Sequence, residues 1–144
     1  MIRVQKNFLV MKLERHTPGR VSLGIKLKRV VWNLTSALLF RPFITPVFRK
    51  WRLLLLRMFG AKVHPTAQVY SSARIYYPAN LTMEAYSCLA DGVECYNVAP
   101  VTVGAHSTIS QGTLLCTASH DITDSHHRLV TAPIMIEDQV WIGA

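Results

Sequence analysis

Three histidines stand within eight residues near the end of the sequence, at His120, His126 and His127. A neutral imidazole can take a proton from a weak nucleophile, and it can also ligate a metal ion. A motif of the form I-x-I-E-D-x-V-x-I-G follows them, at residues 134–143. The chemistry open to these histidines depends on the elements that hold them in place.

A repeat of 20 residues begins at Val63. Within each repeat three apolar anchors stand six residues apart, and a small or β-branched residue follows each anchor four positions later. Such a unit predicts a short strand and a tight turn, and three units close one triangular coil with the anchors inside. The anchors are Val63, Val69, Ile75, Met83, Leu89, Cys95, Val103, Ile109 and Leu115, and the small residues are Ala67, Ala73, Ala79, Ser87, Val93, Ala99, Ser107, Thr113 and Ser119.

The repeat is interrupted after its third coil. An unbroken period would place the next anchor at position 123, but the pattern resumes at Ile136, so about 13 residues are inserted directly after "TASH". Insertions in a regular solenoid cost little stability and often carry function. His120 marks the point where the chain leaves the coil, whereas His126 and His127 belong to the loop itself.

The N-terminal part differs in charge and in pattern. Residues 1–62 hold 14 basic residues and one acid, whereas residues 63–144 hold 2 basic and 7 acidic residues. Apolar residues at spacings of three and four predict an amphipathic helix at residues 44–59 and a less regular one at about 22–40. The predicted inward residues are Ile44, Val47, Phe48, Trp51, Leu54, Leu55, Met58 and Phe59 in the later helix, and Leu27, Val30, Val31, Leu34 and Leu38 in the earlier one.

Two interpretations of these basic helices stay open: a cap packed on the coils, and contact with an anionic membrane through the helix surface. Nucleic acid is disfavoured because the basic part has no zinc-finger spacing, aromatic RNA motif or identifiable recognition helix. The three cysteines form no C-x-x-C pair, so we expect them to be reduced and the protein to be cytoplasmic. No apolar stretch reaches the roughly 20 residues that span a bilayer.

The coil pattern, together with "RKWRLLLLRMFGAKV" and "VTVGAHSTISQGTLLCTASHD", resembles the hexapeptide-repeat O-acetyltransferases, most of all those of colanic acid biosynthesis. The resemblance implies a mainly β fold, a left-handed parallel β-helix preceded by two α-helices. We expect a basic helical region at residues 1–62 and a β-helix domain at residues 63–144, with an inserted loop at about 120–133. The last coil lacks most of its units, so we also expect the β-helix to be C-terminally truncated.

The resemblance implies acetyl transfer from acetyl-CoA to a sugar hydroxyl in surface polysaccharide synthesis. By residue match it makes His120 the catalytic base, which takes the proton of the hydroxyl during attack on the thioester. It also implies acceptor contacts for Asp91 and Asn97, and acetyl-CoA contacts for Trp141 and for the backbone amide of Ala144. No metal is expected.

Because coils of this kind present flat faces that pack side by side, we expect a homotrimer with the site between subunits. It would act on a sugar or a sugar-lipid, and the basic helices would then lie in peripheral contact with the inner face of the cell membrane. Three other functions stay open. They are a truncated, non-catalytic β-helix scaffold or decayed paralogue, a membrane-surface adaptor, and a zinc-dependent carbonic anhydrase of the same fold. The last needs two histidines five apart, whereas His120 lies six and seven residues from His126 and His127.

Overall fold

The computed structural model describes residues 23–123 and 127–143. Helix α1 spans Leu23–Thr35 and continues as a π-helical turn, Ser36–Phe40. A 3-10 turn at Pro46–Phe48 leads into helix α2, Arg49–Met58. No helix among the described residues is long and apolar enough to cross a membrane.

The strands that follow are two or three residues long and form three parallel walls. The first wall contains β1 (Lys62–Val63), β4 (Leu81–Met83), β7 (Val101–Val103) and β12 (Ile134–Ile136); the second contains β2 (Gln68–Val69), β5 (Cys88–Leu89), β8 (Thr108–Ile109) and β13 (Trp141–Ile142); the third contains β3 (Arg74–Ile75), β6 (Glu94–Tyr96) and β9 (Leu114–Cys116). Each strand of the first two coils pairs with the strand 20 residues later, as Val63 does with Met83. Three walls joined by corners in this way form a left-handed β-helix, as predicted.

The anchors fill the interior of the β-helix. All nine predicted anchors are buried, and Ile136 of the fourth coil is buried above Val103. Because successive side chains of a strand point to opposite faces, the residues on either side of an anchor face outward or into a corner. The six-residue pattern therefore correctly predicted both the core and the register between coils.

The third corner of each coil departs from the prediction. Ala67, Ser87 and Ser107 are buried at the first corner, but Ala79 and Ser119 are exposed at the third. The first-coil chain makes a 3-10 turn at Pro78–Asn80 there, and the inward positions are taken instead by residues two places after the anchor. Asn97 and Thr117 occupy these positions in the second and third coils, and both are buried.

The predicted inward stripe of the first helix is wrong. The structure exposes the predicted residues, which are Leu27, Val30, Val31, Leu34 and Leu38, and buries Trp32 on the opposite side of the helix. Trp32 donates its indole N–H to the carbonyl of Ile75 at 2.7 Å and packs against Phe40 and Phe59. One aromatic contact with the β-helix thus decides which face of α1 turns inward.

The predicted stripe of the second helix is wrong for five of its eight members, whereas Leu55 is buried and Trp51 and Phe59 are half-buried against the core. The exposed members are Ile44, Val47, Phe48, Leu54 and Met58. Arg52 is buried among leucines and donates to the carbonyls of Phe43, Thr45 and Val69, and this burial lowers its pKa. The spacing of apolar residues does not predict a buried guanidinium that donates hydrogen bonds to backbone carbonyls where α2 meets the first coil.

Candidate functional site

The inserted loop leaves the β-helix as a hairpin. Strand β10 (Ala118–His120) pairs antiparallel with β11 (Leu129–Thr131), and the amide of Ala132 donates to the carbonyl of Thr117 at 3.0 Å, which closes the base of the hairpin. The chain then re-enters the first wall, where the Ile134 amide donates to the carbonyl of Pro100 at 3.0 Å. The hairpin therefore projects from the third corner of the third coil on a closed hydrogen-bonded base.

His120 is the last residue of β10, and its ring is exposed. Its Nδ1 lies 2.6 Å from the backbone carbonyl oxygen of His127. A carbonyl oxygen only accepts hydrogen bonds, so Nδ1 must carry the proton and Nε2 keeps its lone pair in the neutral ring. The hairpin thus orients an imidazole that can accept a proton at Nε2.

The backbone of His127 supplies the carbonyl that orients this ring. His127 has φ 45°, in the left-handed region that few residues other than glycine adopt. The next residue on each side of the hairpin is also paired, since the amide of Asp121 donates to the carbonyl of Arg128 at 2.9 Å. His126 lies outside the described residues, so the predicted histidine cluster is described only for His120 and His127.

Asp91 is exposed at the corner between β5 and β6. Its carboxylate accepts a hydrogen bond from the hydroxyl of Ser72 in the coil below, and that hydroxyl oxygen accepts from the amide of Gly92. Asp91 occupies the second corner of its coil, whereas the hairpin of His120 leaves from the third. One subunit therefore does not bring these two residues together.

Asn97 lies at the third corner, one coil below the hairpin, and is fully buried. Its Oδ1 accepts from the Tyr77 amide at 2.9 Å, and its Nδ2 donates to the Tyr77 carbonyl at 2.8 Å. Both ends of the amide are therefore occupied by backbone of the preceding coil. The acceptor contact of Asn97 stays a prediction, and the geometry favours a role in building the corner.

Thr117 is the corner residue that the sequence interpretation missed. It is buried, and its hydroxyl donates to the carbonyl of Tyr96 at 3.0 Å and accepts from the amide of Ala99 at 2.9 Å. The sequence does contain a sign of this corner, because Asn97 and Thr117 are polar residues one repeat apart. They secure the corner from which the hairpin leaves.

Trp141 lies in β13 on the outer side of the second wall and is 74% exposed. It pairs with Thr108, so it stands in the outward column of that wall and away from the core. An exposed indole there is available to a ligand or a neighbouring subunit. Ala144, the other predicted acetyl-CoA contact, lies outside the described residues.

A groove not foreseen from the sequence lies between α1 and the third wall, with a volume of about 490 Å³. Tyr76 and Tyr96 meet edge to face on its floor, and Arg41, Arg74 and Glu94 add charge to its lining. Burial raises the pKa of the Tyr76 phenol, against the opposing effect of the nearby Arg29 guanidinium. Within residues 23–123 and 127–143, no three His, Cys, Asp or Glu side chains cluster as metal ligands would.

No family model matches the chain. It is 37% identical over 120 residues to the colanic acid biosynthesis acetyltransferases of Escherichia coli strain K12 and Shigella flexneri. Each match covers 83% of this chain, and the chain spans 65% of the length of these curated relatives. Among solved structures, a hexapeptide-repeat acetyltransferase from Vibrio cholerae superposes with a TM-score of 0.71 at 26% identity, covering 86% of this chain and 70% of that one. The six-residue repeat, the coils that it builds and these likenesses together show that the chain is similar in sequence and in fold to hexapeptide-repeat acetyltransferases.

Proposed function

We propose that this protein transfers an acetyl group from acetyl-CoA to a sugar hydroxyl in surface polysaccharide synthesis, with His120 as the general base. The single observation that carries the proposal is the 2.6 Å contact between His120 Nδ1 and the His127 carbonyl, which leaves Nε2 as the proton acceptor. The similarity to hexapeptide-repeat acetyltransferases and the polysaccharide-related names of the curated relatives support the choice of reaction.

The reaction needs one group that moves a proton twice. His120 Nε2 takes the proton from the sugar hydroxyl as its oxygen attacks the thioester carbonyl carbon. When the tetrahedral intermediate collapses, the carbon–sulfur bond breaks and Nε2–H returns the proton to the departing thiolate. Meanwhile Nδ1–H stays bonded to the His127 carbonyl, which stabilises the transient imidazolium.

The assembly that we propose is a homotrimer in the cytoplasm, with the acceptor bound between subunits. Asp91 and the hairpin of His120 lie at different corners of one subunit, so a neighbouring subunit is the simplest way to bring them to one acceptor. Trp141 stands exposed on the outer second wall, where a neighbour could complete an acetyl-CoA site with it. The amide of Ala144 and an acceptor contact of Asn97 remain part of this proposal, as does peripheral contact with an anionic membrane.

The test compares His120→Ala with His127→Asn in the protein that carries this chain. Removing the base should lower the acetylation rate at least about 100-fold. His127→Asn keeps the backbone carbonyl, and asparagine tolerates a positive φ, so this variant should retain most of the rate. Both variants should unfold at nearly the wild-type temperature because both side chains lie on the projecting hairpin. A His120→Ala rate within about tenfold of wild type would refute the assignment.

A second measurement does not need turnover. The ¹⁵N chemical shifts of the His120 ring report which nitrogen carries the proton, and we expect the Nδ1–H form in the neutral state. Finding the Nε2–H form would contradict the mechanism. Calorimetry with acetyl-CoA separates the alternatives further, since the absence of acetyl-CoA binding would favour the scaffold.

A further inference from the structure

One apolar face of α1 is turned away from the protein. The outer apolar face comprises Leu23, Leu27, Val30, Val31, Leu34 and Leu38, and all six are exposed. At 3.6 residues per turn these positions fall on a single stripe of the helix. A soluble monomer rarely exposes an apolar face this continuous unless the face meets a partner or a membrane.

The helix is held in this orientation from its other side. Trp32 is 2% exposed and donates to the β-helix backbone, and the Arg29 guanidinium lies 3.7 Å from the centre of the Tyr76 ring. These contacts bind the inner side of α1 to the third wall. Because the inner side of α1 is bound to the β-helix, the outer apolar face points away from the protein.

The charges around this face have one sign. Lys26 and Lys28 are exposed and lie on opposite flanks of the stripe, where their ammonium groups can reach past the apolar side chains. Residues 23–62 contain nine Lys and Arg and no Asp or Glu. An apolar stripe edged by lysines on an acid-free segment complements an anionic lipid headgroup layer, in which apolar residues enter the acyl boundary and lysines meet phosphates.

We propose that the outer apolar face of α1 docks this protein on an anionic lipid bilayer, with the helix lying in the plane of the headgroups. The proposal deepens the membrane contact named above by assigning it to one helix face, and it does not depend on acetyl transfer. Trp32 takes no part in this contact, because it lies against the β-helix on the other side of α1.

Sedimentation with vesicles tests this proposal on the whole chain. Vesicles of mixed phosphatidylglycerol and phosphatidylcholine should bind the protein, and vesicles of phosphatidylcholine alone should bind it much more weakly. Raising the ionic strength to about 1 M, where the Debye length is about 3 Å, should release most of the bound protein. Leu27→Glu combined with Leu34→Glu should weaken binding about tenfold or more.

The matched control is Leu114→Glu, because Leu114 and Leu34 are both 59% exposed and Leu114 lies on the β-helix. It should bind vesicles as wild type does, and so should His120→Ala, which separates membrane docking from the proposed catalysis. If the double glutamate variant does not fold, Lys26→Gln with Lys28→Gln is used, and it should weaken binding to anionic vesicles only.

Three results would overturn the proposal: no binding to anionic vesicles, equal binding to neutral vesicles, or equal loss in the Leu114 control. The first of these can also identify another occupant. If vesicles do not bind and the double glutamate variant lowers the oligomer mass in light scattering, the outer apolar face is a contact between copies of this chain.

Discussion

Asn97 offers a direct test of whether a buried corner residue serves the fold or the acceptor. Asn97→Ala removes two hydrogen bonds and leaves the amide and the carbonyl of Tyr77 without their partners. An unpaired buried polar group costs about 1 to 3 kcal/mol. Because Tyr77 is itself half-buried and water can replace part of the loss, we expect the free energy of unfolding to fall by about 2 to 3 kcal/mol.

Urea unfolding followed by circular dichroism measures this change, and a second asparagine at the same corner supplies the control. Asn80 Nδ2 donates to the carbonyls of Asn97 at 3.2 Å and Val98 at 2.7 Å, and Asn80 is only half-buried. Asn80→Ala leaves carbonyls that water can reach, so it should cost about 1 kcal/mol or less.

The opposite pattern would refute the structural interpretation of Asn97. If Asn97→Ala loses less than about 1 kcal/mol of stability but raises the KM for the acceptor, the residue contacts the acceptor in the assembled protein. If stability falls as expected and the refolded variant keeps its KM, the residue belongs to the corner.

Two further predictions concern packing and thiol reactivity. Gly104→Ala should destabilise the fold by about 1 to 3 kcal/mol, because an added Cβ would lie 2.5 Å from the carbonyl carbon of Glu137. Gly143→Ala is the control and should be neutral, because its added Cβ would have no atom within 4 Å. Equal melting temperatures for the two variants would contradict this. Alkylation at pH 8, mapped by mass spectrometry, should modify the exposed Cys116 in the folded protein. Cys95 should react only after unfolding, because it is buried and burial raises its pKa to about 12. Early labelling of Cys95 would show that the interior of the coils opens.

The sequence predicted the β-helix well because one constraint sets each of its anchors. An inward position such as Leu89 or Ile109 has a single environment, the interior of a narrow coil, so apolar character at a fixed spacing is enough. The helices lack that constraint. The spacing of apolar residues in α1 predicted that the helix has an apolar face, but it did not predict which way that face points. The orientation depends on Trp32, whose indole N–H donates to a carbonyl 43 residues away.

The place of His120 at the base of the inserted hairpin was predictable from the sequence, but the hydrogen bond that orients its ring was not. His120 could be found because it ends the last regular coil before the insertion. The group that orients its ring is a backbone carbonyl of His127, and no side-chain pattern encodes that. The sequence did not predict the burial of Asn97, because polar residues are usually exposed, yet a corner that buries backbone groups needs polar side chains to pair with them.

The inserted hairpin shows why activity and stability should separate at His120. After the insertion, β12 pairs with β7 and β13 pairs with β8 in the same parallel register as the coils below, and the Ser107 hydroxyl bonds both the Glu137 carbonyl and the Val140 amide across the gap. The stacking of coils is therefore complete without the hairpin, and closing a loop of this length adds only a small entropic cost. A side chain at the hairpin edge can change without altering the coils beneath it. A residue such as Asn97, which joins one coil to the next, cannot.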